Sequence, residues 1–451
     1  MRQALRLQML QEQLAEIKVT YPIGRIGGAV GNVLTVSGLN ECARIGDRVL
    51  VARRSGDPLP AEVVQLSQAS VTVMPDGPFE GVALGDRVTV DTQNKIAPHD
   101  SWLGRIVDPN GNPLDGKPLT RGLAPRALKN EPPAAASRRA FGPRLDTGHV
   151  VFDTMLPIVR GQRIGLFAGS GVGKSSLMGK LAQRISADVV VIAMIGERGR
   201  EVRQFVDDVL GPEGLSRSVV VTATSDQSPL LRRRCAWTAM AVAEHFRDEG
   251  KSVLLLADSV TRFAEAHREV AVAAGEAPVL RGFPASISHL IMSLCERAGP
   301  GGPDQGDITA VFSVLVAGSD MDEPIADILR GVLDGHVVLD RAIAERGHFP
   351  AIDVLQSVSR SLPGAASDAE NETITQVRKL MSVYAQNQVM ISAGLYTQGA
   401  DGDIDAALQA WPHLDEAMTL MHNKGCAHSF DQLKLALRRS GCIVPKGNSG
   451  R

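Results

Sequence analysis

Near the middle of the chain, Ala168-Gly169-Ser170-Gly171-Val172-Gly173-Lys174-Ser175 sets alternate glycines ahead of a lysine and a hydroxyl. Glycines let a backbone wrap so that its N–H groups face phosphate oxygens, and a lysine at this spacing puts a cation beside the β and γ phosphates. The Ser175 hydroxyl can ligate magnesium, and Ser176 follows on the same turn. The apolar run Arg163 to Phe167 leads into the loop and the helix-forming SLMGKLAQRI leads out of it. That strand-loop-helix context separates a nucleotide site from an ordinary glycine-rich turn. Ala168 stands where the usual pattern has glycine, a position that needs a tight turn more than a close phosphate contact.

Two further apolar runs end in carboxylates: DVVVIAMIG runs into Glu197-Arg198, and KSVLLLAD ends in Asp258. In an open α/β sheet, ligands sit beyond the carboxyl ends of the strands, so both acids are expected beside the phosphate loop. Asp258 suits the acid that holds a magnesium shell. Glu197 suits the group that orients and polarises water. The chemistry these residues suggest is magnesium-dependent hydrolysis of ATP.

Such groups need a scaffold, and the chain is long enough for several domains. Of its 451 residues, 44% are apolar and 22% charged, an ordinary globular composition. From Val19 to Val90 the text is short β-rich pieces (GNVLTVSG, DRVLVAR, AEVVQLS, SVTVMP, DRVTV) between Gly and Asp turns, which predicts a small closed barrel over 19–95. A turn-rich and Pro/Ala-rich stretch reads as a connection over 96–150. Continuous apolar strands then alternate with helices, the pattern of a mainly parallel sheet, and the ATPase domain is assigned to 96–363 including that linker. Residues 364–451 read as helices. At the other end, Leu7, Leu10, Leu14 and Ile17 form an apolar stripe that predicts an amphipathic helix over 1–18.

Charge narrows the function classes. A net charge of -2, from 48 basic and 50 acidic residues, provides no global field for a polyanion, so no nucleic-acid partner is expected. The five cysteines form no Cys-x-x-Cys pair and are expected as reduced thiols. No apolar run approaches the roughly 18 residues of a membrane span. The expectation is a soluble cytoplasmic protein.

GLFAGSGVGKSSL, IGERGREV, LLLADSVTRFAEAHREVAVAAGE and DEPIADILRGVLDGHVVLDR together resemble the catalytic ATPases of bacterial type III export, in particular the flagellar form. More distantly the chain is similar to the catalytic β subunit of rotary ATP synthases. The resemblance implies a three-part plan of barrel, RecA-like P-loop domain and helical end. It implies ATP and Mg²⁺ as ligands, a phosphate contact for Lys174, catalytic carboxylate chemistry at Glu197, and Arg198 near the γ phosphate. Arg262 would face the nucleotide and Phe349 would stack on adenine, with Tyr384 a weaker candidate for that pocket. It also gives a role to Arg360, which sequence pattern does not single out: an arginine finger reaching into a neighbour's site, so that activity requires a homohexamer. Implied partners are a stator-like regulator bound through the N-terminal helix, a central stalk protein, chaperone–cargo complexes and the export gate. The implied place of work is the inner face of the cytoplasmic membrane, where hydrolysis releases chaperones and promotes unfolding and entry of export substrates.

Three other readings compete. A virulence-type secretion ATPase shares nearly every motif. A rotary synthase subunit reads GERTREG where this chain has GERGREV. A Rho-like helicase would need a base-stacking platform, and Val19 to Val90 offers only Tyr21 and Phe79 as aromatics.

Overall fold

The structure is a computed structural model that describes residues 22–54, 56–91, 95–316 and 321–441. The N-terminal apolar stripe lies outside the described residues.

In the first unit, Val33–Ser37 reads VLTVS and Val71–Pro75 reads VTVMP, with alternate side chains turned inward. Alternation of this period makes one face apolar, and closing the sheet on that face leaves no unpaired edge. The closed barrel comprises β1 (Ile23–Val30), β2 (Val33–Ser37), β3 (Arg48–Val51), β4 (Leu59–Leu66), β5 (Val71–Pro75) and β6 (Arg87–Asp91). Its order is β1-β2-β5-β4-β3-β6, all neighbours antiparallel, with β1 meeting β6 to close the ring. Leu34, Val36, Val49, Val63, Val73 and Val88 fill the interior. Residues 227–231 and 266–284 belong to the same compact unit.

The remaining strands follow in chain order: β7 (Arg105–Val107), β8 (Arg163–Ala168), β9 (Val189–Glu197), β10 (Ser218–Thr224) and β11 (Val253–Asp258) come first. After the short ribbon pair β12 (Pro278–Leu280) and β13 (Phe283–Pro284) come β14 (Gly299–Pro300), β15 (Asp307–Leu315), β16 (Gly335–Leu339) and β17 (Ile352–Ser359). In the second unit they form a sheet ordered β17-β16-β8-β15-β11-β9-β10-β7, with β14 paired to β15. Pairing is parallel from β16 through β7 and antiparallel for β16–β17 and β14–β15. All of β11 is buried, as is β9 up to its final residue, which is why both read as unbroken apolar runs. The stretch 96–150 holds more than a connection: β7 extends the sheet beside β10.

The C-terminal helices cover Asp368–Ser392, Gly402–Thr419 and Gly425–Arg439. Ser367 caps the first in a reciprocal capping box with Glu370, and Asp401 caps the second by accepting from the Asp403 and Ile404 N–H groups. Val377, Leu414, Phe430 and Leu433 join the same core as the sheet strands. No helix among the described residues is long and apolar enough to cross a membrane.

Candidate functional site

A parallel sheet delivers its strand ends to one edge, and the register shows which side chains meet there. Asp258 at the end of β11 pairs with Met194, so Glu197 projects three residues further along the neighbouring strand β9. Ala168 at the end of β8 pairs with Leu315 of β15, whose Phe312 pairs with Ala257. From Ala168 the chain turns through Gly171 (φ 79°) and Gly173 (φ 87°), both left-handed, into the helix Lys174–Arg184. Residues with a Cβ rarely adopt that conformation. The loop's shape therefore depends on glycine at these two places.

These ends line one cleft of about 850 Å³ that contains Ala168, Gly169, Ser170, Gly171, Gly173, Lys174, Ser175 and Ser176, together with Glu197, Arg198 and Arg262. Val172 turns inward and is buried, so it contributes backbone rather than side chain. The Lys174 ammonium bonds Asp258 Oδ1. Ser313 Oγ donates to the same oxygen at 2.6 Å. Both contacts load one side of a carboxylate that is only 5% exposed.

Glu197 is different. Burial, reinforced by the Asp258 charge, pushes its carboxyl up to about 7, while the Lys174 cation opposes the shift and a hydrogen bond with Glu201 adds to it. A carboxyl titrating near neutrality exchanges protons at working pH, as a general base must.

Arg198 precedes the helix Gly199–Gln204 and its Nη1 donates to Glu201 at 3.3 Å. Arg262 lies on the helix Val260–Ala273 and its Nη1 donates to Glu265 at 2.8 Å. Thr261 fixes that helix start against the sheet, its Oγ1 accepting from Leu315 N–H at 2.9 Å. Phe349 is half-exposed and stands against the loop: a Cβ on Gly173 would lie 3.4 Å from its ring. Tyr384 is held elsewhere, stacked on Trp411 with ring centroids 4.2 Å apart, in a separate cavity of about 420 Å³. Arg360 follows β17, exposed, with Nη2 donating to the Arg330 carbonyl at 3.1 Å, and it does not line its own chain's cleft.

Glu201, Arg232, Glu265 and Ser313 were not singled out by sequence reasoning. Glu201 and Glu265 each follow a nominated arginine by three residues, one helical turn, which is the available signal. Ser313 sits inside an apolar strand and only the adjacency of β15 and β11 brings it to Asp258.

The fold and cleft define a P-loop ATPase with a barrel before its nucleotide-binding domain and helices after it. Residues 148–359 match the nucleotide-binding domain of the ATP synthase alpha/beta family, and residues 366–433 match the C-terminal domain of the type III secretion ATPase EscN. The chain is 45% identical over 399 residues to the flagellum-specific ATP synthase of Caulobacter vibrioides, covering 87% of this chain and 90% of that protein. It is 42% identical to that of Bacillus subtilis, covering 87% and 89%. The assembled EscN ATPase of enteropathogenic E. coli superposes with a TM-score of 0.84 at 36% identity, covering 92% of this chain and 100% of that one. EscN in complex with its central stalk EscO gives 0.81. The chain belongs to the family of flagellum-specific ATP synthases, the type III export ATPases, and is an ATPase.

Proposed function

We propose that this chain is the ATP-hydrolysing motor of a flagellar type III export apparatus, working as a homohexamer whose sites are completed between neighbours. The observation that carries the catalytic part is the pair of strand-end acids beside the phosphate loop, with Glu197 poised near neutrality and Asp258 tied to Lys174 and Ser313. The loop glycines and the N-terminus of the helix Lys174–Arg184 offer N–H groups to the phosphates of ATP. On binding, the Lys174 ammonium exchanges Asp258 for phosphate oxygens. Ser175 lines the cleft and Asp258 is bonded to the cleft's Lys174; both are hard oxygen donors, the kind magnesium prefers. When bound, magnesium supplies charge neutralisation on the phosphates. Glu197 accepts a proton from the attacking water, Arg198 and Arg262 hold negative charge developing around the γ phosphate, and Phe349 supports the adenine.

Because Glu197 must be ionised to accept a proton, and its value is raised to about 7, activity is lost as pH falls through that region. In a pH series at saturating magnesium, kcat/KM should rise about tenfold per pH unit below 7 and level off above it. A profile flat from pH 5.5 to 8 contradicts Glu197 as the base.

Family membership supports a reading of location and partners: a cytoplasmic protein docked at the inner face of the membrane. There it would release chaperones and promote unfolding and entry of export substrates through the gate. By analogy with EscN and its stalk EscO, a central stalk protein is expected to occupy the ring. The stripe of Leu7, Leu10, Leu14 and Ile17 is assigned to a stator-like regulator. Deleting residues 1–18 should abolish co-purification with that regulator while nucleotide binding by the remaining chain is retained; an unchanged pull-down removes the assignment.

A further inference from the structure

A cleft that receives a polyanion should hold few carboxylates, yet this one is lined by Glu197, Glu201, Glu265 and Glu323 as well as by its cations. Glu197 has a catalytic task. Glu265 has none, and its pair with Arg262 is tighter than the Arg198–Glu201 pair in the same cleft. Arg262 and Glu265 meet at 2.8 Å with side chains 43% and 28% exposed, whereas Arg198 and Glu201 meet at 3.3 Å with 70% and 39% exposed. Solvent weakens the second pair more than the first. The Arg262 Nε is buried and has no hydrogen-bond partner among the described residues, so the guanidinium is only partly satisfied by Glu265. The Glu197 and Glu201 charges also reach Arg262 and favour its cationic form.

We propose that Glu265 is a positioning residue that stands in for phosphate: it holds the Arg262 guanidinium while the cleft is empty and competes with the phosphate of product for it. This rests on the reading that Arg262 meets the transferred phosphate. A partner that binds only the empty state weakens every anion that must replace it, by the free energy of the broken pair. The consequence falls on product. The γ phosphate of ATP is held by its covalent link and by the rest of the nucleotide, but free phosphate after hydrolysis depends on the cleft's own groups, its cations among them. Glu265 thus speeds its departure.

The test is inhibition of steady-state MgATP turnover by added inorganic phosphate, using the full chain. Glu265→Gln keeps the size of the side chain and removes its charge, so the inhibition constant for phosphate should fall roughly threefold, the scale of a partly exposed ion pair. Glu265→Ala should shift it in the same direction. In an Arg262→Ala background the Glu265→Gln change should leave the constant unmoved, because the competitor then has nothing to release. An unchanged constant in both single Glu265 variants overturns the proposal. So does a higher constant, which would make Glu265 an orienting partner for Arg262 rather than a competitor. If Arg262→Ala alone leaves phosphate inhibition as in the unaltered chain, the reading of Arg262 falls and the proposal with it, a result separate from the failure of Glu265 itself. Circular dichroism of each variant reports folding.

Discussion

Replacing Glu197 by Gln should leave MgATP bound with near-unaltered affinity and reduce kcat by about 10³, within the range that general-base catalysis contributes. The amide matches the carboxylate in shape but takes no proton from water. Binding is expected to survive because the phosphate loop, Lys174 and the helix N-terminus are untouched, and they supply most of the contacts to the phosphates. The stability consequence has a definite sign. The folded-state value near 7 exceeds that of a solvated glutamate, so the folded state holds the proton more tightly. Stability associated with this group is complete below about pH 4.5 and lost as pH rises through 7, since the charged form is penalised by burial and by Asp258. At pH 8 the neutral amide removes that penalty. The nucleotide-free variant should therefore melt no lower than the unaltered chain, and about 2 °C higher. Equilibrium binding of a fluorescent ATP analogue, single-turnover hydrolysis and a melting curve separate the three effects. A variant that still turns over at a tenth of the original rate would remove Glu197 from the role of base.

The legibility of Glu197 and Asp258 in the sequence follows from the physics of parallel sheets. Strands buried on both faces leave long apolar runs, and the first charged residue after such a run marks the edge where ligands sit. The glycine-lysine loop is legible for the same reason, since its backbone geometry excludes most other residues. Other parts carry weaker signals. β1 reads IGRIGGAV, too glycine-rich to stand out as a strand, and its place is fixed by pairing with β2 and β6. β7 is three residues long, inside a stretch dense in turn formers. Ser313 looks like a minor interruption of an apolar strand until the strand order sets β15 beside β11. Tyr384 is hard to read for another reason: an aromatic on a C-terminal helix can face a nucleotide or pack on its own helices, and here it stacks on Trp411. Arg360 was legible only through family resemblance. No local pattern tells a residue that acts on its neighbour from one that is merely exposed.

Arg360→Ala should lower kcat by about 10³ while changing MgATP affinity little, because an arginine finger meets charge that develops during phosphoryl transfer. Arg360 follows β17 exposed, its guanidinium reaches only the Arg330 carbonyl among the described residues, and it lies outside the cleft of its own chain. A residue in that position is free to serve a second copy, and mixing the two inactive variants decides whether it acts on a neighbour or within its own chain. The Glu197→Gln chain carries an intact Arg360, and the Arg360→Ala chain carries an intact Glu197. In randomly mixed rings at equal amounts, about a quarter of the interfaces join an intact site to an intact finger from the adjacent subunit. Activity should then reappear on mixing and approach that fraction of the unaltered ring. If Arg360 acted within its own chain, each chain would still lack one essential group and the mixture would stay inactive. The ratio of chains giving the highest activity should be near one to one, since an excess of either variant lowers the number of such interfaces. A ring with a strict direction, in which each subunit donates to one neighbour and receives from the other, gives this dependence without any further assumption.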